Sequence, residues 1–228
     1  MPRATPAHPV TIVDVADLPG GGHLHLLQCG DAFSIQFGDD ELMGSEVRHS
    51  EQALAELACW RLDGRDGTVL IGGLGMGFTL GAALEVLSPD STVVVAELVP
   101  TVITWARGPL AHIFGDHLAD RRVSIKVSDV HDVISGTVDH FDVIMLDVDN
   151  GPDGFLQPLN DRLYCNWGLQ AAYRALRPRG VLAIWSAYAD AAFVTRLENA
   201  GFSVEEISMP ANRDGDGLHF IWLASKPV

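Results

Sequence analysis

The chain has 228 residues, 47% of them hydrophobic and 20% charged, with a formal net charge of −15. That length and composition suit one sizeable folded domain with room for a small appendage, and they exclude a disordered chain. The acidity and the lack of a basic cluster exclude binding to nucleic acid through its phosphates, and no apolar run is long enough for a membrane span.

The N-terminal MPRATPAHPV has no apolar core of a secretory signal. Three cysteines (Cys29, Cys59, Cys165) are widely spaced and form no CxxC, so neither a disulfide framework nor a zinc site is indicated. A cytoplasmic location is the expectation. The excess of acid favours a cationic substrate by long-range attraction, or simply keeps the chain soluble.

Up to about Val47 the pattern is strand-like, with HLHLLQ and AFSIQF broken by glycine turns. SEQALAELACWRL then has helical spacing, and Ser50 offers a hydroxyl for its N-cap. Strands and helices alternate from there. TVLIG leads to a helix over Phe78–Leu87, STVVVAEL to PTVITWAR with Pro100 in the first turn, and RVSIKV to a short helix over Val130–Ser135. FDVIMLDV precedes one long helix over Asp161–Leu176, and GVLAIWSA precedes a helix over Ala189–Ala200. FSVEEISM and HFIWLAS, with only a polar loop between them, predict a terminal antiparallel hairpin. The expected fold is α/β: a doubly wound, mostly parallel, Rossmann-like sheet spanning residues 48–228, preceded by a small β-hairpin region at 1–47.

Ligands of such sheets sit beyond the carboxyl ends of the strands. After the first parallel strand comes GGLGMGF. A dinucleotide fingerprint would need its third glycine where Phe78 stands, and no GK[ST] follows for a phosphate loop. What remains is GxGxG, formed by Gly73, Gly75 and Gly77 and typical of nucleoside-binding transferases. Acidic residues end the next three strands: Glu97, Asp129, then Asp147 and Asp149. One alone could be a cap or a turn former. Four around a glycine turn describe a nucleoside pocket.

The stretch from Thr68 to Ala187 resembles the spermidine synthase-like aminopropyltransferases, which share the class I methyltransferase fold. The matching motifs are VLIGGLGMGFTL, VVVAELVP, SDVHDVI, FDVIMLDVDNGP and LQAAYRALRPRGVLAIWS. The resemblance implies that Gly73, Gly75, Met76 and Gly77 border S-adenosylmethionine or its decarboxylated form. It implies Glu97 and Leu98 at the ribose, Asp129 and Val130 at the adenine, and Asp147 as the base that deprotonates a small cationic amine. Asp149, Asn150, Tyr164 and Glu51 would line the acceptor, no metal would be needed, and the chain would form a homodimer. The chain departs from the family at Met76, where an amine-holding aspartate is usual. It departs also at Phe78 for a glycine, Asn150 for an aspartate and Ser50 for a tyrosine.

Three readings stay open: an aminopropyltransferase-like enzyme, an S-adenosylmethionine-dependent small-molecule methyltransferase, and a nucleoside-binding homologue without turnover. Of the other candidates, His23 and His25 share a strand face without a third metal ligand, His131 follows Asp129, and Ser186 lacks a nucleophile elbow. Trp185 fits the core better than a substrate stack. The polar segment Asn150–Arg162, directly after the proposed base, is placed to act as a lid.

Overall fold

Period-two alternation over residues 10–44 folds as four antiparallel strands, β1 (Val10–Asp17), β2 (His23–Cys29), β3 (Ala32–Phe37) and β4 (Asp40–Gly44), paired in that order. Leu24, Leu26, Phe33 and Ile35 share the buried face, as alternation requires. The computed structural model describes residues 8–148, 157–210 and 217–228.

Helix α1 (His49–Trp60) buries Leu54, Ala55, Ala58 and Cys59. It starts from Arg48, whose side chain makes no capping bond, so Ser50 is not the N-cap. Ser50 lies inside the first turn, fully buried, and its hydroxyl is used by tertiary partners instead.

The second sheet is built by β5 (Thr68–Gly72), α2 (Phe78–Val86), β6 (Thr92–Glu97), α3 (Pro100–Arg107), the single turn α4 (Ala111–Phe114), β7 (Val123–Val127), α5 (Val130–Ser135) and β8 (Phe141–Leu146). It is completed by α6 (Gln157–Tyr164), α7 (Asn166–Ala175), β9 (Leu176–Ser186), α8 (Ala191–Asn199), β10 (Ser203–Pro210) and β11 (Leu218–Ser225). The strand order is β10-β11-β9-β8-β5-β6-β7. Strands β9, β8, β5, β6 and β7 run parallel, and the β10–β11 hairpin closes one edge antiparallel. The chain winds outward from β5 through β6 to β7, then returns to β8 on the other side. The crevice between β5 and β8 is therefore the topological switch point.

Both faces of the parallel sheet are covered, which is why its strands read as near-continuous apolar runs. Val69 and Ile71 enter one core, and Leu70 between them enters the other. The first core also takes Leu26 and Ile35 of the N-terminal sheet, Leu54 of α1 and Met76, so the small sheet shares an interior with the large one. A hydrogen bond from Trp105 Nε1 of α3 to Asp14 of β1, at 2.7 Å, ties the two together.

The single helix expected over Asp161–Leu176 is two. Cys165 is extended (φ −73°, ψ 166°) and separates α6 from α7, and Leu176 already belongs to β9. Leu163, Tyr164, Leu169 and Ala172 all enter the second core, so one apolar periodicity runs across the break and conceals it.

Gly77 precedes α2 with φ +79°, and a Cβ there would lie 2.7 Å from Cδ1 of Phe114. Both the left-handed backbone and the missing side chain are needed. Gly77→Ala is expected to lower unfolding stability by about 2 kcal/mol or more. Denaturant titration measures this, and a loss under about 0.5 kcal/mol would show that the turn tolerates a side chain.

Candidate functional site

Three strand ends and the glycine turn converge at the switch point. Gly73 follows β5 with φ +88°, and a Cβ on it would collide with the carbonyl oxygen of Asp147 at the end of β8. Glycine lets these two loops meet, which closes the floor of a cavity of about 1030 Å³, mouth included. Gly73, Gly75, Glu97, Leu98, Asp129, Val130, Asp147 and Glu51 all line it. The N-terminal sheet adds Leu24, Ile35 and Met43, and β9 adds Trp185.

Glu97 shapes the turn. Its Oε2 accepts from the backbone N–H of Leu74 and its Oε1 from that of Val99, each at 2.8 Å. Burial pushes its pKa up while these bonds oppose the shift. The backbone N–H groups of Leu98 and Gly75 also act on this carboxylate, so Glu97 is the acceptor around which the glycine turn and the end of β6 are built. Asp129 caps α5 by accepting from His131 N at 2.8 Å, and its other oxygen pairs with Arg162 of α6. Leu98 and Val130, next in sequence to these acids, give the same region apolar wall.

The same cavity carries two further acids. Thr79 Oγ1 of α2 donates to Asp147 Oδ2 at 2.6 Å. Ser50 Oγ donates to Glu51 Oε2 at 2.7 Å, and His219 Nδ1 of β11 lies 2.9 Å from the same hydroxyl. Desolvation pushes Asp147 above the usual carboxyl range, against the Thr79 hydrogen bond. Glu51 is pushed up to about 7, first by burial and then by the like charge of Asp147. The two carboxyls share one desolvated site, so ionising one raises the cost of ionising the other.

That sharing has a consequence for stability. Folded Glu51 keeps its proton to about pH 7, whereas an unfolded glutamate releases it near 4.5. Between these values the folded chain binds more protons, so stability falls as pH rises through the window. The loss at pH 8 relative to pH 5 is expected to reach roughly 3 kcal/mol, and Glu51→Gln removes most of it. Denaturant midpoints of both proteins at the two pH values check this, and parallel slopes would contradict the buried pair.

Several expected site residues stand elsewhere. The Met76 side chain is fully buried in the first core, and only its backbone N–H turns outward, to Met43 Sδ at 3.1 Å. Gly77 packs on Phe114, and Tyr164 lies in the second core with its ring edge-on to Phe193 at 5.7 Å. None of the three lines the cavity. Asp149 and Asn150 fall outside the described residues, as does most of the proposed lid, although Asn160 of α6 does reach the cavity. Trp185 is buried in the first core, as expected, and also lines the cavity, meeting His219 edge-on at 4.6 Å. His23 pairs with exposed Asp17 and His131 with Asp132, and neither lines the cavity. Ser186 Oγ is bonded to the backbone of Tyr188. Among the described residues no cluster of His, Cys, Asp and Glu could hold a metal ion, and no helix is long and apolar enough to cross a membrane.

Sequence reasoning missed Thr79, Met43 and His219. Thr79 lies within the glycine-turn motif but was given no role there, and His219 belongs to no motif and reaches the site only through tertiary packing. The alternation that turns Leu24 and Ile35 inward could have pointed to the N-terminal sheet as a cavity wall.

No family model matches the chain, and no curated protein matches its sequence. Solved structures do. A spermidine synthase in complex with the transition-state analogue AdoDATO superposes with a TM-score of 0.77 at 19% identity, over 95% of this chain and 74% of that one. The spermidine synthase of Thermotoga maritima gives 0.75 at 18%, over 95% and 73%. The 1,6-didemethyltoxoflavin-N1-methyltransferase of Burkholderia thailandensis, with bound 1,6-didemethyltoxoflavin and S-adenosylhomocysteine, gives 0.56 at 20%, over 79% and 80%. The chain thus has the α/β fold common to spermidine synthases and this methyltransferase, with the terminal hairpin and N-terminal β appendage expected from its sequence.

Proposed function

We propose that the chain is a spermidine synthase-like alkyltransferase that takes decarboxylated S-adenosylmethionine as co-substrate and moves its aminopropyl group to a small cationic amine, S-adenosylmethionine itself being the co-substrate of the methyl-transfer alternative. The observation that carries this reading is that Asp147, Glu51 and Glu97 all line one cavity. The residues present fit an adenosyl nucleoside: a buried carboxylate lining the cavity where ribose hydroxyls would lie, a glycine turn, and apolar walls at Leu98 and Val130. When bound, the nucleoside supplies a carbon made electrophilic by the adjoining sulfonium. Glu97 holds the ribose, and Asp129 orients the base from beside its ion pair with Arg162.

Asp147 accepts the proton of the incoming amine, which must be neutral to act as nucleophile. Its oxygen bonded to Thr79 is fixed, leaving the other to face the acceptor. Burial raises the pKa of Asp147, which makes its ionised form a stronger base than an exposed carboxylate. The acid pair also attracts a cation into an otherwise apolar cavity.

A second reading, methyl transfer from S-adenosylmethionine, has its own support. The position where an amine-holding aspartate is usual carries Met76, whose side chain is buried away from the cavity. Calorimetry with S-adenosylmethionine, decarboxylated S-adenosylmethionine and methylthioadenosine separates the two. Aminopropyl transfer predicts that the decarboxylated form binds more tightly than the carboxylated one, and the reverse order overturns it in favour of methyl transfer. Binding of all three without turnover on any amine would leave a nucleoside-binding homologue. A homodimer and a cytoplasmic location belong to the same proposal, and sedimentation of the purified chain tests the first.

A further inference from the structure

The acid pair has an exit that the proposed chemistry does not use. Glu51, Ser50 and His219 form an unbroken hydrogen-bonded chain, with Ser50 Oγ 2.7 Å from Glu51 Oε2 and 2.9 Å from His219 Nδ1. Glu51 lines the cavity, Ser50 is fully buried, and His219 is partly exposed on β11. The chain therefore runs from the cavity through the protein interior to solvent. We propose that Glu51, Ser50 and His219 are a proton relay that carries the acceptor's proton from the site to the surface. The inference rests on the proposed transfer for its purpose but not for its existence.

The relay has two states that differ by one proton. In the first, Glu51 is protonated and donates to Ser50 Oγ, the hydroxyl donates to His219 Nδ1, and the ring carries its proton on Nε2. In the second, Glu51 is ionised and accepts from the Ser50 hydroxyl, which accepts from Nδ1–H, and Nε2 is bare. Passing from the first to the second moves the carboxyl proton to Ser50 and the Ser50 proton to Nδ1, and releases the Nε2 proton to water. No charge is left on the imidazole, which suits a ring whose burial lowers its pKa. The emptied Glu51 carboxylate, which lines the same cavity as Asp147, is then ready for the next proton brought into the site. The imidazole regains its Nε2–H tautomer by turning about its Cβ–Cγ bond, so that Nδ1 gives its proton to water and Nε2 takes one, without net gain or loss.

The surroundings favour this path. Helix α1 packs on α2, β8, β9 and β11. Asp147 after β8 and His219 on β11 are the titratable groups these elements bring to Glu51 among the described residues. Helix α2 brings Thr79, already bound to Asp147, and β9 brings Trp185, which holds the imidazole edge-on. On its own helix, Arg48 lies over the Phe78 ring. Glu97 and Asp129 line the same cavity but are engaged by backbone N–H groups and Arg162.

The test follows the His219 tautomer by nitrogen NMR in the full chain labelled at histidine, from about pH 5 to 9, with His219→Gln to assign the signal. The relay predicts that His219 exchanges Nε2–H for Nδ1–H in step with the ionisation of Glu51. It predicts that Ser50→Ala and Glu51→Gln each abolish that exchange and that Ser50→Thr keeps it. One tautomer throughout in the wild type overturns the relay, as does an exchange that survives both Ser50→Ala and Glu51→Gln. Circular dichroism confirms that the variants are folded, and two independent substitutions keep the test decisive should one fail. Nucleoside calorimetry on the wild type separates the two ideas. A tautomer exchange without nucleoside binding leaves the relay standing and removes the transfer, and binding without exchange removes only the relay.

Discussion

Asp147→Asn is expected to lower transfer by roughly 10²- to 10⁴-fold while nucleoside affinity stays within a few-fold of wild type. The amide oxygen of asparagine can still accept from Thr79, so the loop after β8 keeps its anchor. What it cannot do is take a proton. The change also removes the like charge beside Glu51, whose pKa then falls from about 7, although burial, the larger cause, still holds it above the ordinary glutamate value. The pH–stability slope of the variant should flatten accordingly. Turnover equal to wild type would take Asp147 out of the chemistry and favour a reaction whose acceptor needs no base.

Glu97→Gln should act in the opposite way, on binding and on the fold. Both carboxylate oxygens of Glu97 receive backbone N–H groups, from Leu74 and Val99. A glutamine offers one oxygen and one NH₂, so one buried N–H faces another donor. Leaving such a group unsatisfied costs about 1–3 kcal/mol. The remaining acceptor also loses its charge, and hydrogen bonds to a charged group contribute about 1.5–3 kcal/mol, so nucleoside affinity should drop by roughly 10- to 100-fold. Isothermal calorimetry and a denaturation curve read the two effects separately. A variant that is destabilised but binds normally would confine Glu97 to shaping the turn.

These two acids show how much of the site the sequence made legible. The strand ends are visible because a buried parallel strand is a run of Val, Ile and Leu, and the first acid after it sits at the crevice by construction. Glu97 and Asp147 were readable for that reason, as was the glycine turn that brings Gly73 against the Asp147 carbonyl, whereas Asp129 follows a half-exposed edge strand, VSIKV, and was readable from the alternation of strands and helices. The terminal hairpin was readable from the absence of a helix between its strands. Local pattern misled where a residue's partner lies far along the chain. Ser50 looks like an N-cap, but His219 claims its hydroxyl from 169 residues away. The break at Cys165 was hidden because α6 and α7 both bury their apolar faces in one core. Met76 and Tyr164 are equally instructive: their places in a motif put them at the pocket, and their packing takes both side chains into the interior. A motif specifies the path of the backbone more closely than it specifies which side chains the ligand meets.

The central claim is that one cavity holds an adenosyl nucleoside with its sulfur turned to a pair of acids. A crystal structure of the chain soaked with methylthioadenosine tests it most directly. The account predicts the ribose hydroxyls on Glu97, the adenine between Leu98 and Val130 near Asp129, and the sulfur on the side of Asp147 and Glu51. A cavity that stays empty at saturating nucleoside, or a nucleoside whose sulfur points away from both acids, would contradict it.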